Sequence, residues 1–137
     1  MIFRVKKMYV KVSPLFLGVL VWLFLTNNFL TYLSCFFAIC LHEIGHIVMI
    51  CMLKERIAIL RILPIGFSCR LRNKSKVSRK NMMKILISGP AVNVLMAGLF
   101  YFWTKELAVT NFLLGIFNLL PVGELDGGRI FEISIAN

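Results

Sequence analysis

The sequence predicts an all-α polytopic membrane protein: one unit spanning 1–137, about four transmembrane helices, and a short β-hairpin-like segment in the cytoplasmic loop between helices 2 and 3. Three observations predict it. Hydrophobic residues make up 59% of the chain and its mean hydropathy is +0.84, well above the mix of a soluble domain. The apolar residues come in blocks rather than along one helix face, so the solvent they suit is hydrocarbon. The basic residues fall between the blocks, in stretches that share one side if the spans alternate.

The first span runs from about 13 to 27. At 1.5 Å per residue it is short for a hydrocarbon core of roughly 30 Å, so it either draws on Met8 to Val12 or tilts little. The second runs from Phe29 to Leu53, the third from Ile85 to Trp103, and the fourth from Leu107 to about Val122. Between the second and third, Arg56 to Arg72 alternates β-branched, apolar and basic residues around Leu63-Pro64-Ile65-Gly66. Pro and Gly at that point suit a turn between two short strands. Asn73 to Asn81 is polar and basic, a solvated loop that also favours anionic headgroups.

Four of the 16 Lys and Arg residues lie in 1–11 and ten between Lys54 and Lys84, leaving Lys105 and Arg129. With four alternating spans, 15 of these charges share one face and one lies on the other. The positive-inside rule then makes that face, with the amino terminus, cytoplasmic. A net charge of +10 could instead suit nucleic acid, but aromatics do not interleave with the basic loop as a stacking platform requires, so nucleic acid is not expected as a partner. Basic residues ahead of an apolar run also resemble a signal peptide. Thr26-Asn27-Asn28 follows Leu25 where a small-residue cleavage site would stand, so an uncleaved anchor is expected. Cys35, Cys40, Cys51 and Cys69 form no C-x-x-C pair and read as small hydrophobes in a reduced environment.

The second span carries the chemistry. His42-Glu43-Ile44-Gly45-His46 holds the only two histidines of the chain, and these three residues are the span's only ionisable groups of their kind. A central carboxylate in a membrane helix costs about 2.5–3.5 kcal/mol on insertion scales. A bound metal explains why such a cluster is there. Positions i and i+4 share a helix face, so His42 and His46 can offer two imidazole nitrogens to one ion. Glu43 beside them is placed to accept a proton from water rather than to ligate. Gly45 leaves room for a neighbouring helix or a substrate. The first reading is an intramembrane zinc hydrolase.

Catalytic zinc takes three protein ligands and keeps a fourth position open. Glu55 borders the cytoplasmic loop and Glu106 the opposite face. Glu124 and Asp126 lie in Asn118-Leu119-Leu120-Pro121-Val122-Gly123-Glu124-Leu125-Asp126-Gly127-Gly128, where Pro and Gly end the fourth helix. A broken helix at membrane depth needs a protein-lined or watered cavity. Chemistry alone leaves Glu124 and Asp126 nearly level as the third ligand.

Taken together, L-H-E-I-G-H, then S-G-P-A-V-N from Ser88 to Asn93, then N-L-L-P-V-G-E-L-D-G-G from Asn118 to Gly128, the chain resembles the site-2 protease family, intramembrane zinc metalloproteases that cut transmembrane substrates. The likeness covers residues 13 to about 130. It implies one Zn2+ per chain held by His42, His46 and Asp126, with Glu43 as the catalytic base. It also implies that Asn93 and Asn118 lie near the substrate or the developing oxyanion, and that Pro121 shapes the helix break. The short first span, the Leu63-Pro64-Ile65-Gly66-Phe67 segment and the lack of an inserted PDZ module resemble most the sporulation branch, that of stage IV sporulation protein FB, whose members release a mother-cell sigma factor from its pro-sequence.

The partners expected are therefore the lipid bilayer and a transmembrane or membrane-associated protein substrate, a pro-sigma or anti-sigma factor among the candidates, with membrane regulators or a second copy of the chain as further ones. Sporulation-branch members usually continue with two further spans and a cytoplasmic regulatory domain, whereas eleven residues follow Asp126 here. A shortened, non-cutting membrane interaction protein is the alternative expectation. A metal-ion transporter is a third, and it should show ionisable residues on the other spans; the third span has none.

Overall fold

The computed structural model describes residues 2–5, 8–12, 29–55, 57–63, 66–71, 77–123 and 125–135, with side chains in 30–55, 77–123 and 125–135. The expected first span, 13–27, lies outside the described residues, as does Glu124. Among the described residues four helices follow one another: α1 (Phe29–Met52), α2 (Arg79–Phe100), α3 (Lys105–Asn118) and α4 (Asp126–Ile135). Leu30–Met52 and Arg79–Phe100 are long and apolar enough to cross a membrane. At 24 residues α1 extends about 36 Å, beyond a core of roughly 30 Å.

Local chemistry sets the helix ends. The chain leaves α1 through Lys54, whose φ of 55° is left-handed. Lys54 N–H donates to Cys51 O and Glu55 N–H to Ile50 O, both at 3.0 Å, the paired closure of a Schellman motif with Lys in the usual Gly position. Ser78 caps α2, its hydroxyl accepting from Asn81 N–H at 3.2 Å. The third expected span thus starts earlier and ends earlier than the hydropathy block, at Arg79 and Phe100 instead of Ile85 and Trp103. The fourth is shorter than expected. Its helix stops at Asn118, two residues before Leu120, because the residue preceding Pro121 is biased out of helical conformation. At 14 residues, α3 extends only about 21 Å.

Strands β1 (Ile2–Val5), β2 (Met8–Val12), β3 (Ile57–Leu63) and β4 (Gly66–Leu71) form one sheet in that order. β3 and β4 run antiparallel, with Leu63 opposite Gly66 across the Pro64-Ile65 connection. β2 joins β3 in parallel, Val10 opposite Leu60, and β1 pairs antiparallel with β2. The sheet is larger than the two-stranded segment read from the sequence. Met8 to Val12, offered there as an extension of the first span, is strand instead: Met-Tyr-Val-Lys-Val has the aromatic and β-branched content that suits a pleated surface. α1 lies in the stretch joining the parallel partners, as a parallel connection requires a long crossover.

The helical body is polar inside and apolar outside. Asn93 and Asn111 are 0% exposed, while Leu30, Leu95 and Phe117 are 72%, 67% and 57% exposed. On α1 the buried residues Ala38, His42, His46 and Ile50 share one face, and Leu33, Phe37, Ile44 and Val48 lie outside it. On α3 the buried set is Ala108, Asn111 and Gly115. Water drives apolar groups inward; lipid has no such preference, so small and polar residues can hold the helices together.

Candidate metal centre

Three side chains from two elements converge. His42 and His46 project from the buried face of α1, and Asp126 opens α4. His42 Nε2 lies 3.0 Å from Asp126 Oδ2, His46 Nε2 lies 3.1 Å from the same oxygen, and the two Nε2 atoms are 3.1 Å apart. All three residues are buried, at 5%, 8% and 9% exposure. The carboxylate stands in the first turn of α4, where the helix dipole favours negative charge.

The other ring nitrogens are engaged. His46 Nδ1–H donates to Ile85 O at 2.7 Å, a carbonyl that can only accept. His42 Nδ1 lies 2.7 Å from Asn93 Oδ1, which accepts from it. Each neutral imidazole therefore carries its hydrogen on Nδ1 and turns the Nε2 lone pair inward. Two nitrogen lone pairs and a carboxylate oxygen then face each other with no hydrogen between them. Such a set offers three inward-facing donor atoms to a cation. The donors, two imidazoles and one carboxylate, are those of a catalytic zinc site with an open position, and His-to-carbonyl and His-to-amide bonds are the usual outer support for metal-ligating histidines. The residues fit zinc.

Backbone proximity makes this convergence feasible. A β-carbon on Gly89 would fall against His46 Nε2 and 2.9 Å from His42 Nε2, so α2 presents bare backbone to the ligands. At Gly45 an added β-carbon would lie 2.7 Å from Ser88 O, which brings α1 and α2 close. Gly127 and Gly128 press the start of α4 on the carbonyls of Leu119, Leu120, Val122 and Gly123, and Gly123 turns the loop at φ +54°. This break after α3 is what carries Asp126 back to α1.

The sequence-derived site residues fare differently. His42, His46 and Asp126 meet. Glu43, half-buried on α1, is within electrostatic reach of all three and of Arg129. Asn93 is in the centre, but in another capacity than the expected oxyanion donor. Its amide nitrogen donates to Ala38 O and to Asn111 Oδ1, each at 3.0 Å, so both hydrogens are spent and its oxygen serves His42. Asn118 donates to Leu114 O of its own helix at 3.0 Å; among the described residues no hydrogen bond joins it to the three donors. Gly89, the Ile85 carbonyl and Asn111 were missed. Asn111 carried a signal, as a polar residue inside an apolar helix, and Gly89 stood within the quoted Ser88 to Asn93 motif.

Residues 102–137 match the family model described as Peptidase family M50. A zinc metalloprotease of Methanocaldococcus jannaschii is 28% identical over 135 residues, covering 86% of this chain and 39% of the relative. The chain thus spans about two-fifths of that curated relative. A solved site-2 protease from the same organism superposes with a TM-score of 0.76 at 22% identity, covering 99% of this chain and 71% of the other. The matches support the site-2 protease (M50) family. The fold of the solved protease and the family segment meet at the same place: residues 102–137 include Asp126 and the loop that delivers it. Zinc is named for that relative, and the donor set of His42, His46 and Asp126 suits it.

Proposed function

We propose that this chain is an intramembrane zinc metalloprotease that hydrolyses peptide bonds of membrane-embedded or membrane-associated protein substrates. The observation that supports it most is the approach of His42 Nε2, His46 Nε2 and Asp126 Oδ2 to within 3.0–3.1 Å of one another, with Glu43 alongside. His42, His46 and Asp126 would hold one zinc ion. Zinc, when bound, supplies Lewis acidity, which polarises a carbonyl and lowers the pKa of water to about 7. Glu43 takes the proton of the attacking water and delivers it to the leaving nitrogen. The outward apolar and inward polar helices seat this chemistry at membrane depth. A helical substrate must unwind locally to reach it, because its backbone groups are otherwise paired.

The finer reading, a sporulation-branch enzyme acting on a pro-sigma factor, rests on the sequence resemblance alone. The multi-pass arrangement, with amino terminus and basic loop in the cytoplasm, rests on the apolar blocks and the placement of the basic residues, and regulators or a second copy of the chain are further candidate partners.

The deciding experiment is cleavage of a panel of single-span substrates by the wild type beside Glu43→Gln, with zinc measured on the same samples. The amide keeps the size of the base and cannot accept a proton. Zinc should stay bound while cleavage falls by at least about 10²-fold. Cleavage at the wild-type rate would remove Glu43 as the base. No cleavage by a zinc-loaded wild type across the panel would favour the non-cutting interaction protein.

A further inference from the structure

A chain of buried amides runs from α3 through α2 to the metal centre on α1. Asn111 Nδ2 donates to Leu107 O at 2.8 Å, which leaves Asn111 Oδ1 as an acceptor. Asn93 Nδ2 donates to it at 3.0 Å and spends its other hydrogen on Ala38 O, also at 3.0 Å. Asn93 Oδ1 is then the atom left for His42 Nδ1, 2.7 Å away. Each step has one direction only, because the carbonyls of Leu107 and Ala38 at its ends can accept and cannot donate. Both asparagines are 0% exposed, so bulk water does not reach them to replace a lost partner.

We propose that Asn111 is a positioning residue for the metal centre: it locks the Asn93 amide so that His42 carries its hydrogen on Nδ1 and offers Nε2 to the ion. The inference rests on the metalloprotease reading for its purpose, though its geometry does not. Without Asn111, one buried Asn93 N–H has no acceptor, and apart from His42 itself the amide is held by Ala38 O alone. The amide then shifts or turns, its oxygen leaves the line to Nδ1, and the His42 hydrogen can move to Nε2. An imidazole protonated at Nε2 has no lone pair there for a metal. The His46 tautomer is set by Ile85 O and serves as the internal control. The close approach of α2 and α3 that permits the bond comes from Gly115, where an added β-carbon would lie 3.2 Å from both Asn93 Cβ and Pro90 O.

The chain has two histidines, so ¹⁵N-histidine labelling gives only two ring systems to follow. The full chain in detergent, metal-free and under alkaline conditions, should show both rings as Nδ1–H tautomers. Asn111→Leu should move His42 toward Nε2–H or into exchange, leave His46 unchanged, and weaken zinc binding by about 10–100-fold in chelator competition. Asn111→Ser should do the same while remaining closer to the native polarity, since a serine hydroxyl can bond the carbonyl four residues back but is too short for Asn93. Asn111→Asp keeps an acceptor oxygen for the Asn93 N–H; it should restore the His42 signal and lose less than about tenfold in affinity. A wild-type His42 carrying its hydrogen on Nε2 would overturn the proposal without any variant. So would Leu and Ser variants with wild-type spectra and zinc affinity. If the wild type takes up no zinc, the metalloprotease reading falls, and the metal-free spectra still decide the role of Asn111.

Discussion

At the scale of single residues, the centre depends on three side chains and one absent side chain. Because the chain holds no histidine besides His42 and His46, His42→Ala or His46→Ala should reduce zinc from about one per chain to none by elemental analysis. Asp126→Ala should lose metal and activity together, while Glu124→Ala should retain both. The reverse pattern would show that the Leu125-Asp126-Gly127 match is out of register. Gly89→Ala is a sharper test. Its methyl group would fall against His46 Nε2 and close to His42 Nε2, so zinc should be lost even though all three ligands remain. Zinc bound at the wild-type level in that variant would mean that α2 can move away from α1.

At the scale of elements, the decisive feature is the break between α3 and α4. Pro121 biases Leu120 out of helix, Gly123 turns the chain, and Gly127 and Gly128 let α4 settle on the carbonyls of residues 119–123. A helix running unbroken past Asn118 would carry Asp126 about 12 Å further along its axis, away from the histidines. Gly127→Ala should therefore force α4 off Leu119 and Leu120, costing about 1–3 kcal/mol as overpacking does. Zinc affinity should fall with it, read by chelator competition beside a thermal melt. The packing of α2 on α3 through Gly115 and of α1 on α2 through Gly45 follows the same rule: small residues bring backbones close enough for short polar side chains to reach across.

At the scale of the whole molecule, buried amides and exposed leucines reverse the arrangement of a water-soluble protein and suit a lipid surround. Even so, the direction of insertion is a separate question, and the distribution of basic residues addresses it. Lys74→Cys and Asn28→Cys, each in a background without the native cysteines, should be labelled by an impermeant reagent from opposite faces, with position 74 cytoplasmic. Labelling from the same face would remove one span from the proposed four, and the 13–27 segment would be the one to give up.

How much was legible follows from the range of each interaction. The sequence by itself determined α1 to within a residue or two of its ends, since hydropathy and a cluster of turn residues act locally. It also determined the histidine pair and its face, because i and i+4 are neighbours on any α-helix. The strand pair around Pro64 was visible in alternation, but the addition of β2 was not, as pairing with residues about fifty positions away leaves no local mark. Glu124 and Asp126 stood level on chemistry, and resemblance alone separated them. Only the tertiary structure decided that Asp126 reaches the histidines, that Asn93 gives its oxygen to His42 instead of a hydrogen to substrate, and that Asn111 stands behind it. Those are properties of hydrogen-bond direction across three helices, and direction depends on which acceptors the fold brings within about 3 Å, a distance that no spacing along one helix encodes.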